Sequence, residues 1–112
     1  MTDQCPGAAT FELLGKKWTA YIVWALLDGP RRFTALLTAA PGLGDRVLSQ
    51  RLKELEAAGI VTRSQYAEIP PRVEYELTDV GRELRPVIAE MERWGRLWEA
   101  AGGSAARKAT TR

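Results

Sequence analysis

Residues 44–61 read GDRVLSQRLKELEAAGIV, and no other stretch restricts the fold as strongly. At about 100° per residue, Leu48, Leu52 and Leu55 line one side of a helix and require a core to cover them. Arg46, Ser49, Gln50 and Lys53 recur at i, i+3, i+4 and i+7, forming a second stripe on the opposite side. That stripe holds no carboxylate, because Glu54 and Glu56 lie outside it. A helix that needs only to be soluble usually mixes Glu with Lys on its wet face. Cations and amides without acids suit DNA: Arg can grip guanine with two bonds, Gln can pair with adenine, and Ser and Lys can hold bases or phosphates. A merely solvated face is the plain alternative, and the helix by itself does not choose.

The residues before it supply a helix-turn-helix. Residues 1–7 are expected to be a loose arm carrying Cys5, because Pro6-Gly7 discourages helix. A short helix is expected over about 8–14, with Phe11 and Leu14 as its apolar contacts, ended by Gly15. Trp18 opens a second helix, WTAYIVWALLDG, that is apolar almost all round and so should be the central packing element. Asp28-Gly29-Pro30 stops it, and Arg31-Arg32-Phe33 is extended, enough for a one-pair strand. Thr34 is expected to cap a short helix running to about Ala40, broken by Pro41-Gly42. A short helix, a tight turn and the two-faced helix thus follow one another, which places the second helix to enter a major groove.

After Gly59 come two strand-forming runs, 60–66 and 72–77, joined by a loop with Pro70-Pro71. In the second, Val73, Tyr75 and Leu77 share a face. A hairpin directly after the helix is the wing of a winged helix; Arg63, Gln65 and Arg72 on it can touch backbone or minor groove, or simply be solvated. Thr78 caps the last helix, expected over about 78–100, with apolar residues Val80, Leu84, Val87, Met91, Trp94 and Trp98 in a heptad-like seam widened by Ile88 and Leu97. Pro86 should bend it rather than stop it. A domain this small has difficulty covering two Trp at the end of a projecting helix, so a partner chain is expected there; a helix folded back on its own core is the alternative. Residues 102–112 read as a disordered tail, leaving one domain over 8–101.

Composition narrows the function. Formal net charge is only +2, and the tail supplies Arg107, Lys108 and Arg112 without an acid. Residues 1–101 therefore carry thirteen basic against fourteen acidic groups. Yet residues 29–53 hold Arg31, Arg32, Arg46, Arg51 and Lys53 against Asp45 alone, a local +4 that fits a binding surface. With no His and one Cys, the chain lacks His-based acid–base chemistry and the usual zinc ligand sets, so neither an enzyme nor a metal or other cofactor is expected. No apolar run approaches the roughly 18 residues of a membrane span, and the N-terminal MTDQCPGAATFE has no signal-peptide pattern, so a cytoplasmic protein without membrane contact is expected.

The chain resembles the HxlR-type winged-helix transcriptional regulators of bacteria and archaea. The likeness extends from Cys5-Pro6 through GKKW at 15–18, LLDGPRRF at 26–33, RVLSQRLKELEAAGIV at 46–61, PPRVEYELT at 70–78 and Gly81 to Trp94-Gly95, about 90 of the 112 residues. It implies an α+β, mostly α, winged helix-turn-helix with a two-stranded wing and N- and C-terminal dimerisation helices. It also implies a homodimer that binds a palindromic double-stranded DNA operator, with repression as the default. Arg46, Ser49, Gln50 and Lys53 carry over as recognition-helix contacts, Arg51 as their flank and Arg72 as a wing contact. The implied dimer interface draws on the first and last helices, through Phe11, Val87, Met91, Trp94 and Trp98. Where many relatives have Ser or Thr this chain has Gly44, and Lys16 stands where Gly is common. In several relatives a Cys in the arm senses oxidants, quinones or other electrophiles, which makes Cys5 a candidate sensor; a small residue anchoring the arm is the alternative. The competing functional classes are a winged-helix protein–protein adaptor and a regulator controlled by a non-covalent small-molecule effector, for which Trp18, Tyr21 and Trp24 could stack on an aromatic ligand.

Overall fold

The computed structural model describes residues 5–103; residues 1–4 of the arm and all but the first two residues of the tail lie outside the described residues, as does the expectation of disorder there. In chain order the elements are α1 (Ala8–Leu14), α2 (Thr19–Leu26), β1 (Arg31–Arg32), α3 (Phe33–Ala39), α4 (Asp45–Ala57), β2 (Val61–Tyr66), β3 (Arg72–Leu77), α5 (Asp79–Arg82) and α6 (Arg85–Ala100). The strands form one antiparallel sheet in the order β1-β3-β2. The wing is therefore not purely two-stranded: Arg31 pairs with Tyr75 and Arg32 with Glu74, so β1 ties the start of the helix-turn-helix to the wing.

Leu48, Leu52 and Leu55 of α4 are fully buried against Ile22, Val23 and Leu26 of α2, Leu36 of α3, and Val61, Tyr75 and Leu77 of the sheet. The two-faced helix and the alternation of β3 thus meet in one core, with α2 at its centre. That helix is not buried on every side, however. Trp24 is 46% exposed, because α6 reaches this flank through Ile88 and leaves an open groove beside it. In α1 it is Leu13 that packs against the core, while Phe11 points outward, 67% exposed.

Three boundaries differ from the sequence reading. Thr34 caps nothing: α3 starts at Phe33, two residues before the start a Thr34 cap would set, because Arg32 is already extended by its pairing in β1 and serves as the N-cap position. The last helix is two helices, not one bent helix. Thr78 Oγ1 accepts the Gly81 N–H at 3.0 Å and starts α5, whose ladder then lapses at Glu83-Leu84. Pro86 sits in the first turn of α6, where its missing N–H leaves no gap in the ladder. The break also divides the expected seam. Leu84 and Ile88 turn to the core, whereas Val80, Val87, Met91, Trp94, Leu97 and Trp98 face outward.

Two junctions orient α4. Its C-terminus closes in a Schellman turn: Gly59 takes φ +78°, its N–H bonds to the Glu56 carbonyl at 3.0 Å, and the Ile60 N–H bonds to the Leu55 carbonyl at 2.9 Å. Thr78 then joins this turn to the wing, donating its hydroxyl to the Gly59 carbonyl at 2.7 Å and its N–H to the Ile60 carbonyl at 2.9 Å. Near its middle, α4 is held from the other side: Arg51 Nε donates to the Lys17 carbonyl at 2.8 Å, in the turn between α1 and α2. At that turn Trp18 adopts φ +77°, which costs an L-residue about 1–2 kcal/mol. Edge-on packing of its indole against Tyr21, ring centroids 5.6 Å apart, helps to hold it there.

Candidate nucleic-acid interface

Gly44, extended at φ −83° and ψ 160°, is the N-cap of α4, and Asp45 lies in its first turn. Because the three leucines pin one side of this helix inward, its opposite side is held out to solvent. Arg46, Gln50 and Lys53 are exposed there and Ser49 is half-buried beside them. Arg46 and Lys53 make no ion pair among the described residues, and neither does the exposed Arg32 of β1. These cations are available to an anionic partner.

Two predicted contacts are placed differently. Arg51 is half-buried and spends its guanidinium on the Lys17 carbonyl and on Glu54, 3.4 Å away, so it braces the helix. Arg72 lies between Glu68 at 2.8 Å and Glu74 at 2.6 Å, with its guanidinium carbon 3.9 Å from the centroid of the Tyr66 ring. Both carboxylates push the Arg72 pKa further above its already high value, while the hydrogen bonds from Arg72 hold Glu68 below the usual carboxylate range. The charge of Arg72 is thus balanced within the wing. Arg31 is diverted too, donating Nε to the Ala25 carbonyl at 2.6 Å near the end of α2. The basic stretch read from the sequence resolves into outward-facing Arg32, Arg46 and Lys53 and structural Arg31 and Arg51.

Glu54 is a site residue that stripe periodicity passes over. It receives Gln50 Nε2 at 3.0 Å and Lys16 Nζ at 3.3 Å on one oxygen, and Arg51 on the other. The Gln50 hydrogen bond is the main cause that holds its carboxyl below the ordinary value; burial opposes it, and Lys16 and then Arg51 add to the lowering. The i to i+4 spacing of Gln50 and Glu54 was the signal available for this pair.

The profile of the HxlR-like helix-turn-helix family matches residues 13–102, which include α4, the wing and α6. The chain belongs to this family. It is 44% identical over 98 residues to the uncharacterized HTH-type transcriptional regulator YvaP of Bacillus subtilis, covering 87% of this chain and 91% of that protein. To the HTH-type transcriptional regulator YodB of the same organism it is 42% identical over 91 residues, 80% of this chain and 81% of the relative. Among solved structures, the oxidized form of the redox regulator HypR superposes with a TM-score of 0.78 at 40% identity, over 82% of this chain and 95% of that one. The reduced form of YodB gives 0.72 at 42% identity, over 80% and 89%. This HxlR-family chain is a transcriptional regulator with a winged helix-turn-helix fold, not an enzyme. None of its described helices is long and apolar enough to cross a membrane.

Proposed function

We propose that this HxlR-family regulator binds double-stranded DNA as a homodimer and represses transcription from a palindromic operator. The observation that carries the reading is the outward face of α4, where Arg46, Gln50 and Lys53 are exposed and the two cations have no ion-pair partner among the described residues. Affinity comes from phosphates met by Lys and Arg, and specificity from Arg46, Ser49, Gln50 and Lys53. Arg51 contributes by bracing the helix, and Arg72 by shaping the wing. The dimer is supported by the apolar face of α6, where Val87, Met91, Trp94 and Trp98 are 39–58% exposed and the two indoles stack with centroids 5.5 Å apart. Outward-facing Phe11 on α1 extends the same kind of surface. With α6 joining two copies, the paired α4 helices must lie about 34 Å apart, one turn of DNA.

Cys5 is free and exposed, so it is open to oxidants and electrophiles, and HypR is itself a redox regulator. Oxidation of the two Cys5 thiols of a dimer by diamide would form one S–S bond, the two protons and two electrons passing to the diazene. A non-covalent effector is the second reading. It is favoured by an open groove of about 350 Å³ between α2 and α6, lined by Tyr21, Trp24, Ile88, Met91 and Glu92.

The deciding experiment measures binding of the full chain to its own upstream DNA, reduced and then treated with diamide or a quinone, with Cys5→Ser in parallel. Binding that is lost on treatment and kept by Cys5→Ser establishes the thiol switch. Binding indifferent to treatment makes Cys5 structural and turns attention to the groove. No binding at any salt concentration refutes the DNA reading and favours a protein–protein adaptor.

A further inference from the structure

Gln50 and Glu54 stand one turn apart on α4, and Gln50 Nε2 donates to Glu54 Oε2 at 3.0 Å. An ionised carboxylate can only accept, so the amide can meet it only with its nitrogen inward. Lys16 at 3.3 Å and Arg51 at 3.4 Å hold the carboxylate on both oxygens, and Arg51 is fixed in turn by the Lys17 carbonyl. An amide nitrogen carries two hydrogens. With one engaged by Glu54, the second hydrogen and Oε1 remain for another partner. The major-groove edge of adenine presents one acceptor, N7, and one donor, N6–H, and so takes one donor and one acceptor.

We infer that Glu54 is a positioning residue for sequence reading, locking the Gln50 amide in the orientation that selects adenine at one position of each half-site. The inference rests on the proposed binding of duplex DNA. Lys16 and Arg51 give the carboxylate two roles in one contact: they fix its position, and they offset a negative charge that would otherwise repel the phosphates. Lys16 stands outside α4, so the reading residue is coupled to the α1–α2 turn as well as to its own helix.

Ordering a long side chain costs about two- to tenfold in affinity, and a prearranged amide avoids that cost only where it meets its base. Duplexes enriched by the full chain from a random-sequence pool supply the probe. Competition at fixed salt then compares the enriched site with versions in which each A·T pair is exchanged. Wild type is expected to discriminate at one A·T pair per half-site that Gln50→Ala no longer distinguishes. Glu54→Ala is expected to reduce that ratio about two- to tenfold and to leave other positions alone. In the Gln50→Ala background it should change nothing. Because each ratio compares two sites on one protein, the general gain in affinity from removing a negative charge cancels. Glu54→Asp, which keeps the charge but is one methylene short of Gln50, is expected to show the same loss and serves alone if Glu54→Ala does not fold. A wild-type ratio in the variants, or a loss spread evenly over all positions, overturns the inference. A pool from which wild type enriches nothing overturns the DNA-binding proposal itself.

Discussion

Replacing Gly81 with alanine tests whether the recognition helix and the wing are joined at one crowded point. Gly81 is buried in α5 beneath the end of α4. A Cβ there would lie 2.3 Å from the Ile60 carbonyl oxygen and 3.2 Å from both Ile60 Cγ2 and Leu77 Cδ2. That oxygen cannot give way alone, since it accepts the Thr78 N–H at 2.9 Å and shares, at 3.2 Å, the Thr78 hydroxyl hydrogen that the Gly59 carbonyl also accepts. Forcing extra volume into a packed site costs about 1–3 kcal/mol, and loss of one hydrogen bond about 0.5–1.5 kcal/mol. Alanine's better helix propensity offsets at most about 1 kcal/mol, less in so short a helix. The expected net effect is a destabilisation of roughly 1–4 kcal/mol, lowering Tm by roughly 5–20 °C for a domain of this size. Thermal melts by far-UV circular dichroism measure it, at one fixed chain concentration because the Tm of a dimer depends on concentration. Gly44→Ser is the control. Its side chain enters open space at an extended N-cap, so Tm should stay level or rise slightly. A Gly81→Ala chain that melts at or above wild type refutes the packing argument.

Two further outcomes are expected. Trp94→Ser with Trp98→Ser should keep the far-UV circular dichroism of the folded domain at low temperature, because neither indole belongs to the core, while sedimentation shifts from dimer to monomer and Tm loses its dependence on chain concentration; a dimer that survives both changes would place the interface elsewhere. Glu68 is held below its ordinary value of 4.5 by its hydrogen bonds from Arg72, so its contribution to wing order is present at neutral pH and is lost as pH falls below about 4.5. Amide exchange at residues 66–72 should quicken over that range, and Glu68→Gln should remove the step; exchange that is flat with pH in wild type would count against the clamp.

The parts of this fold that were legible in the sequence are those set by local periodicity. The leucines of α4 could face only inward, and the alternation from Arg72 to Leu77 marks β3 to the residue. What stayed hidden depends on partners distant in sequence. Arg51 looks like another cation beside the stripe until the chain brings Lys17 to it from 34 residues away. Trp18 in a left-handed conformation has no local sign, since the usual glycine is absent and packing against Tyr21 supports the strain instead. The ion pairs of Arg72 stayed hidden for a different reason. Glu68 and Glu74 are both near it in sequence, but only the folded hairpin brings all three charges together. Thr34 failed as a cap because pairing of Arg32 in the sheet moved the start of the helix.

The attachment of α6 has a mechanical consequence. Its first turn is clamped to the end of α2, by buried Ile88 and by Arg85, which donates to the Leu27 carbonyl at 2.7 Å. Beyond Met91 the helix stands clear of the core, which makes the clamp a fulcrum. Trp98 lies ten residues beyond Ile88, about 15 Å along the axis, so a tilt of about 10° at the clamp displaces its indole by about 2.5 Å. In a twofold assembly built on these indoles, that displacement acts on both reading heads with opposite sense. In such an assembly the span between them would be gauged by the stiffness of a single turn, and a small push at the end of α2 would change the DNA spacing that the proposed dimer accepts.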